Sequence, residues 1–103
     1  MFLVDAPKGF DLGTALSKVE AGAAVLVFAA NARALKANAK PAIQAAREDR
    51  LSWIAYPKAG QLETDLDRDT LVQLMKPFGV DSVRLVSIDD VWSATRFRPR
   101  RHG

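Results

Sequence analysis

The sequence "AAVLVFAA", residues 23–30, is an unbroken apolar run between two helix-like segments. A run of this length that is apolar on both of its faces is typical of a strand inside a sheet that is covered on both sides. The sequence "LSWIAY", residues 51–56, has the same character, with Trp53 on one face and Ile54 on the other. We therefore expect two central strands.

Helix signals alternate with these strands. Asp11 is well placed to cap a first helix, and Asn31 can cap a second helical stretch. Pro41 should break that stretch into two helices, because proline has no amide hydrogen and disfavours helix at the preceding residue. Asp67 is well placed as the N-cap of a last helix, which should end near Gly79. Each predicted connection between consecutive strands up to this point is thus helical.

The remaining strands complete the predicted order. Residues 2–4 form a short strand, and "DSVRLVSI" (81–88) and "WSATRFR" (92–98) form two more, which the short link between them makes antiparallel. The order βαβαβαββ predicts a small three-layer α/β/α Rossmann-like sandwich. Its sheet would be mostly parallel and five-stranded, with one antiparallel strand from the C-terminal hairpin. Residues 1–97 would form a single domain, and residues 98–103 a basic C-terminal tail.

Composition excludes several kinds of chemistry. The chain has 103 residues, no cysteine and one histidine, His102. Disulfides, thiolate catalysis and zinc–cysteine sites are therefore excluded, and any general base would have to be a carboxylate or a lysine. No apolar run approaches the roughly 20 residues that a membrane span needs. We expect a cytoplasmic protein that does not enter a membrane.

The basic character of the chain is concentrated near its C-terminal end. The formal net charge is +3, from 15 basic and 12 acidic residues. Four arginines lie in the segment "RFRPRRHG", and 15 minus 4 leaves 11 basic residues against the 12 acids, so the rest of the chain is nearly neutral. Such a tail could contact phosphate. We favour a solvated terminus over a nucleic-acid contact, because no aromatic platform or basic helical face accompanies the arginines.

Five pieces of the sequence together resemble a known family. The pieces "DAPKGF", "AAVLVFAANARAL", "LSWIAYPKAG", "TDLDRDTL" and "IDDVWSATRFRP" resemble the small bacterial family catalogued as domain of unknown function three-zero-five-two. The positions that correspond to the family's motifs are Trp53, Tyr56, Pro57, Lys58, Arg68, Asp69, Trp92, Ser93, Arg96 and Phe97, together with Asp89 or Asp90. That family has no established activity, so the resemblance implies a fold and not a function.

The order of elements is also similar to the later half of class I methyltransferases that use S-adenosylmethionine. This resemblance implies that the strand starting near Trp92 lies between those starting near Leu51 and Val83. However, "DAPKGF" stands where such enzymes have a glycine-rich turn, and no following strand ends in a ribose-binding acid. We therefore expect no cofactor, and methyl transfer is not favoured.

A rim of charged residues is predicted at the carboxyl ends of the parallel strands, where open α/β sheets bind ligands. The candidates on this rim are Lys8, Lys58, Asp65, Arg68, Asp89, Asp90 and Trp92. Lys58 is the strongest, because it follows Pro57 on a stiffened backbone and can meet an anionic ligand or form an ion pair. Arg68 is expected to pair with one of the rim aspartates, whereas Trp92 is expected to be a core residue.

Three functions remain open at this point. We favour a non-catalytic binding module, without a metal, that recognises a small anionic ligand or a protein partner. The first alternative is a small enzyme that uses an aspartate with Lys58, with a magnesium ion on Asp65, Asp89 or Asp90. The second is a nucleic-acid contact through the arginine-rich tail. The sequence leaves the ligand and the oligomeric state open.

Overall fold

The computed structural model describes residues 2–4, 25–58 and 64–99. Its strands are β1 (Phe2–Val4), β2 (Val25–Phe28), β3 (Ser52–Pro57), β4 (Val80–Ser87) and β5 (Trp92–Pro99). Its helices are α1 (Ala32–Asn38), α2 (Lys40–Arg47) and α3 (Arg68–Met75), and a 3-10 turn, Lys76–Phe78, follows α3. The strands form one sheet in the order β1-β2-β3-β5-β4. The helix predicted to begin at Asp11 lies outside the described residues.

Strands β2 and β3 are interior strands, as the sequence predicted. Every residue of both strands is buried. Their side chains alternate between two clusters: Val27 and Ile54 belong to one, and Phe28 and Trp53 belong to the other. Each of these strands therefore buries side chains on both faces of the sheet.

Two helices begin at the capping residues that the sequence predicted. The Oδ1 atom of Asn31 accepts a hydrogen bond from the backbone N–H of Ala34 at 2.8 Å, at the start of α1. The Oδ1 atom of Asp67 accepts one from the N–H of Thr70 at 2.7 Å, at the start of α3. These bonds satisfy backbone donors that have no partner within a helix's first turn.

The predicted break at Pro41 is also confirmed. Helix α1 ends before Ala39 and α2 follows it, with the proline in the first turn of α2, where its missing N–H removes no helical hydrogen bond. After the 3-10 turn, Gly79 adopts φ +77°, a left-handed conformation that glycine reaches most readily. None of the described helices exceeds eight residues, and none is long and apolar enough to cross a membrane.

The predicted fold class is wrong, first in the make-up of the sheet. From residue 25 onward, four strands form one parallel ladder, β2 with β3, and two antiparallel ladders, β3 with β5 and β5 with β4. β1 pairs in parallel with β2 at the edge. The sheet is mixed rather than mostly parallel because β5 inserts between β3 and β4, so that one antiparallel strand creates two antiparallel ladders. This inserted position is the one that the methyltransferase resemblance implied.

The described residues also lack the second helical layer of the predicted three-layer arrangement. Strands β2, β3 and β4 advance across the sheet in one direction, and right-handed crossovers that advance in one direction place their helices on the same face. All three described helices accordingly contribute to the cluster that contains Val27 and Ile54. The cluster on the other face contains no residue of these helices. Because the parallel strands β1, β2, β3 and β4 advance across the described sheet without a reversal, this sheet also lacks the crevice that a doubly wound fold opens at such a reversal.

The arginine-rich end of the sequence is partly incorporated in the sheet. Arg98 and Pro99, which were predicted to belong to the tail, are the last residues of β5. They pair with Asp81 and Val80 of β4. Residues 100–103 lie outside the described part of the chain. At least two of the tail residues therefore have positions that are fixed by strand pairing.

Candidate functional site

Lys58 lies at the carboxyl end of β3, where the sequence predicted it. Its backbone N–H donates to the carbonyl of Val91 at 2.7 Å, which fixes this residue against the β4–β5 connection. Its Nζ atom donates to Ser87 Oγ at 2.6 Å. Serine is a neutral partner, and among the described residues Lys58 forms no ion pair. The ammonium group is therefore held in place by a partner that does not neutralise it.

Asp65 caps a helix and is not part of an assembled ligand-binding site. Its Oδ1 atom accepts a hydrogen bond from the backbone N–H of Ala32 at 2.9 Å. This carboxylate thus lies at the positive end of α1, beside the cap that Asn31 provides. The bond joins the segment before α3 to the start of α1, across 33 residues of sequence.

Asp89 closes the connection between β4 and β5. Its Oδ1 atom accepts hydrogen bonds from the backbone N–H groups of Val91 and Trp92, both at 2.8 Å. Asp90, its neighbour, is exposed, and within the described residues it makes neither a hydrogen bond nor an ion pair. Two adjacent aspartates of the predicted rim therefore have different roles, because only the first of them holds the loop.

The aspartate–lysine and magnesium alternatives receive no support from these positions. The carboxylates of Asp65 and Asp89 already accept backbone hydrogen bonds at two separate places. Lys58 bonds to a serine instead of an aspartate. Across the three described ranges, no group of three or more histidine, cysteine, aspartate or glutamate residues could hold a metal ion.

Trp92 is a core residue, as the sequence predicted. Only 6% of its surface is exposed. Its ring packs edge to face on Phe28, with ring centroids 5.4 Å apart and an interplanar angle of 81°. Its side chain is therefore not available as a stacking platform for a ligand.

Arg68 is exposed and does not form the predicted ion pair with a rim aspartate in the part of the chain that the structure describes. Its positive charge instead affects the pKa of the Tyr56 hydroxyl group. Burial raises the pKa of Tyr56 above its ordinary value, and the positive charge of Arg68 offsets part of this rise. Lys8, the remaining candidate on the rim, lies outside the described residues.

The cap at Asp67 leads to a prediction about acid stability. Hydrogen bonds from Thr70, above all from its backbone N–H, lower the pKa of this exposed carboxyl group. Because the folded pKa lies below the unfolded one, the stabilisation is complete above about pH 4 and is lost as the pH falls through the lowered value. We expect Asp67→Ala to lower the Tm by a few degrees at pH 7 and by less at pH 2.5. Circular-dichroism melts of both proteins at the two pH values measure this difference, and an equal loss at both would contradict it.

A concavity that could not be predicted from the sequence lies between two helical segments, on the face of the sheet that α1, α2 and α3 cover. One wall comes from α1 and α2, the other from the end of α3 and the 3-10 turn, and its volume is about 890 Å³. Its apolar lining residues are Ala39, Ile43, Leu74, Met75 and Phe78, and its polar lining residues are Lys36, Lys40, Gln44, Arg47 and Glu48. We call this feature the α2–α3 groove.

The apolar lining of the α2–α3 groove includes one large exposed side chain. Phe78 is 47% exposed at the end of the 3-10 turn. Pro77 restricts the backbone before it, and Gly79 after it adopts the left-handed conformation that ends the turn. Ile43 and Leu74 are partly buried and pack against the main core. The groove therefore presents apolar surface that is continuous with the core beneath it.

The polar edge of the groove is predominantly basic. Lys36, Lys40 and Arg47 lie along α1 and α2 at helical spacing, and within the described residues none of them forms an ion pair. Glu48 is the only acid that lines the groove among the described residues. Its Oε1 atom already binds Arg50 Nε at 3.2 Å. Three cations therefore border the apolar lining with no carboxylate of the described chain to neutralise them.

Part of the groove had a signal in the sequence. The spacing of Lys36, Lys40 and Arg47 beside Ile43 marks a basic stripe next to an apolar one. The sequence did not indicate that Phe78 faces this stripe, because the two lie on separate helical segments.

The chain matches no known family model, and neither the curated proteins nor the solved structures contain a significant match to it.

Proposed function

We propose that this chain is a non-catalytic binding module, and that its α2–α3 groove holds an acidic amphipathic helix of a protein partner. The observation that carries this proposal is a row of three cations, which the described chain does not neutralise, beside an apolar lining. A partner helix with aspartate or glutamate next to its apolar face would complement both parts of the groove. Helix-in-groove recognition of this kind uses apolar anchors at i, i+3, i+4 and i+7.

The apolar part of the groove supplies the attraction. Covering the exposed part of Phe78 would remove apolar surface from water, a gain on the order of 2 kcal/mol. Ile43 and Leu74 provide the neighbouring contacts. Aromatic side chains near the centre of an interface often contribute most to affinity. Phe78 is therefore the expected anchor.

The basic edge of the groove selects the partner. Lys36, Lys40 and Arg47 favour an acidic segment, because opposite charges across an interface speed association and disfavour wrong partners. These side chains are exposed, so their contribution should weaken with salt. A small ligand fits this arrangement less well. Small-molecule sites enclose most of the ligand and orient it with convergent polar groups, whereas the polar side chains here line an exposed edge.

A pair of designed peptides tests the charge selection. The probe is a fluorescein-labelled 16-residue helix with leucines at the anchor positions and glutamates beside them, and its counterpart carries lysines in place of the glutamates. By fluorescence anisotropy, we expect the acidic peptide to bind at least fivefold more tightly. The double substitution Lys40→Glu, Arg47→Glu should remove this preference, because it reverses two of the three groove cations. Arg33→Glu, on α1 but outside the groove lining, should retain it.

Two surface substitutions of matched exposure test the apolar lining. Phe78 is 47% exposed in the groove, and Leu85 is 50% exposed on β4. We expect Phe78→Ser to weaken binding of the acidic peptide at least fivefold and Leu85→Ser to leave it within twofold. Equal effects of the two substitutions, or binding of dodecanoate to the groove without binding of the peptide, would overturn the proposed helical partner.

A further inference from the structure

Strand β4 forms a long open edge of the described sheet. It has eight residues, Val80–Ser87, and pairs with β5 on one side only, whereas β1, at the opposite edge, has three residues. Proteins commonly protect an edge strand from other chains by keeping it short or by placing proline or lysine in it. Residues 80–87 contain neither of these two residue types. The outer side of β4 is therefore open to pairing with another strand.

Exposed apolar side chains are concentrated on the same strand. Among the described residues, the large hydrophobic side chains that are exposed are Phe78, Val83 and Leu85. Phe78 lines the α2–α3 groove, whereas Val83 and Leu85 lie on β4 and are 47% and 50% exposed. An added strand would pair with the open backbone edge and shield neighbouring apolar side chains from water.

The charged residues of β4 lie on only one face of this edge. Asp81 and Arg84 are opposite β5 residues that are two positions apart, so both project to the face away from α1, α2 and α3. The β-bulge that follows Ser82 causes this, because residues three positions apart in a regular strand lie on opposite faces. The other face of β4 carries Ser82, Leu85 and Ser87 and has no charge.

The backbone N–H and C=O groups of Leu85 point away from β5. Thr95 Oγ1 donates to the carbonyl of Arg84 at 2.9 Å, so the polar backbone groups of residue 84 point towards β5. The N–H of Ile88 likewise donates to the carbonyl of Trp92 at 2.9 Å. Because these groups alternate in direction along a strand, those of Leu85 point outward. In the described sheet no further strand lies on that side to pair with them.

We propose that β4 pairs in antiparallel orientation with β4 of a second copy of this chain, so that one continuous sheet runs through both copies. The open edge requires an extended strand with outward backbone groups and an uncharged face, and β4 itself meets this description. A two-fold axis perpendicular to the sheet brings the same edge of both copies together and keeps their helices on the same side. The uncharged faces, each with its Leu85, then adjoin one another.

The size of the interface indicates a weak dimer. Each copy contributes the eight residues of β4, fewer than the roughly 20–30 residues per side of a standard protein–protein interface. Each copy also carries a formal net charge of +3, which opposes association. We therefore expect a dissociation constant on the order of 100 μM. The contact uses no lining residue of the α2–α3 groove, so it does not depend on the groove's having a partner.

Sedimentation of the full chain over a range from about 10 to about 1,000 μM measures this dimer, in about 150 mM NaCl to screen the repulsion between copies. We expect monomers at the low end of the range and dimers at the high end. Leu85→Pro tests the backbone pairing directly. Proline removes an N–H that points outward and leaves the ladder with β5 intact, so this variant should raise the dissociation constant at least tenfold. Circular dichroism shows whether the variant is folded.

Two further variants keep the test independent of the proline. Leu85→Lys adds a charge to the uncharged face at an exposed position, and it should also raise the dissociation constant at least tenfold. Phe78→Ser removes an apolar side chain of similar exposure outside β4 and should change the constant less than twofold.

Three results would overturn the proposal. The first is a chain that stays monomeric at the highest concentration. The second is a Leu85→Lys variant, or a folded Leu85→Pro variant, that dimerises as tightly as the unmodified chain. The third is an equal loss for Phe78→Ser and Leu85→Lys, which would place the contact at the α2–α3 groove instead of the β4 edge.

Discussion

Replacing Trp92 by alanine should lower the free energy of unfolding by about 3–5 kcal/mol, as is usual for the loss of a buried aromatic side chain. The side chain is almost fully buried, and its edge-to-face contact with Phe28 would be lost as well. A loss of this size is a large fraction of the roughly 5–15 kcal/mol that stabilises a typical domain. Urea denaturation followed by circular dichroism measures it.

Two control substitutions show whether burial is the cause of this loss. Trp92→Phe keeps an aromatic ring against Phe28 and should cost less than half as much as the alanine variant. Phe78→Ala removes a partly exposed aromatic ring and should cost less than Trp92→Ala. A cost below about 1 kcal/mol for Trp92→Ala would show that the ring is not part of the core, and would restore the interpretation of Trp92 as a ligand platform.

The second large effect is expected at Asp89, which holds the β4–β5 connection. Asp89→Ala should lower the free energy of unfolding by about 1–2 kcal/mol, because the substitution removes the acceptor of two backbone N–H groups. Because the aspartate is exposed, water can accept some of the hydrogen bonds that these N–H groups would lose. We therefore expect a smaller effect than that of Trp92→Ala. The same urea titration measures it.

The neighbouring aspartate provides a matched control. Asp90→Ala removes the same functional group from the same loop and should change the free energy of unfolding by less than about 0.5 kcal/mol. Asp89→Asn keeps an oxygen acceptor and should retain most of the stability. Equal costs for Asp89→Ala and Asp90→Ala would mean that the hydrogen bonds of Asp89 do not hold this loop.

The features that could be predicted from the sequence depend on residues close together in the chain. Asn31 and Asp67 cap helices through bonds to residues three positions later, so a short window contains both the cap and its partner. The break at Pro41 follows from the covalent structure of proline. The central positions of β2 and β3 follow from runs that are apolar on both faces.

The features that could not be predicted depend on long-range pairing. No local pattern indicates that β5 pairs with β3, and only the resemblance to methyltransferases implied it, although this single pairing changes the sheet from mostly parallel to mixed. The hydrogen bond from Ala32 to Asp65 joins residues 33 positions apart, whereas the sequence pointed to Arg68 or a magnesium ion as the partner of that carboxylate. The opposition of Arg84 and Arg96 depends on one extra residue in β4, and a register shift of this kind leaves no clear mark on composition.

The candidate sites follow the same division. The position of Lys58 at a strand end could be predicted because Pro57 and the apolar run before it are adjacent in the chain. Its partner, Ser87, could not be predicted, because β4 reaches Lys58 only past the inserted β5. The α2–α3 groove likewise forms where Ile43 and Phe78, which lie on separate helical segments, come together.

The insertion of β5 has a consequence for the synthesis of the protein. β4 leaves the ribosome before β5, yet in the finished sheet β5 lies between β4 and β3. A nascent chain that ends before residue 92 therefore has β3 paired on one side only, with β2, and has no ladder partner for β4. Both strands then present open edges of the kind that promotes aggregation. The two halves of the sheet, β1-β2-β3 and β4, can be joined only after residues 92–99 have emerged from the ribosome. Completion of the sheet is therefore delayed until β5, the last described strand, has been made.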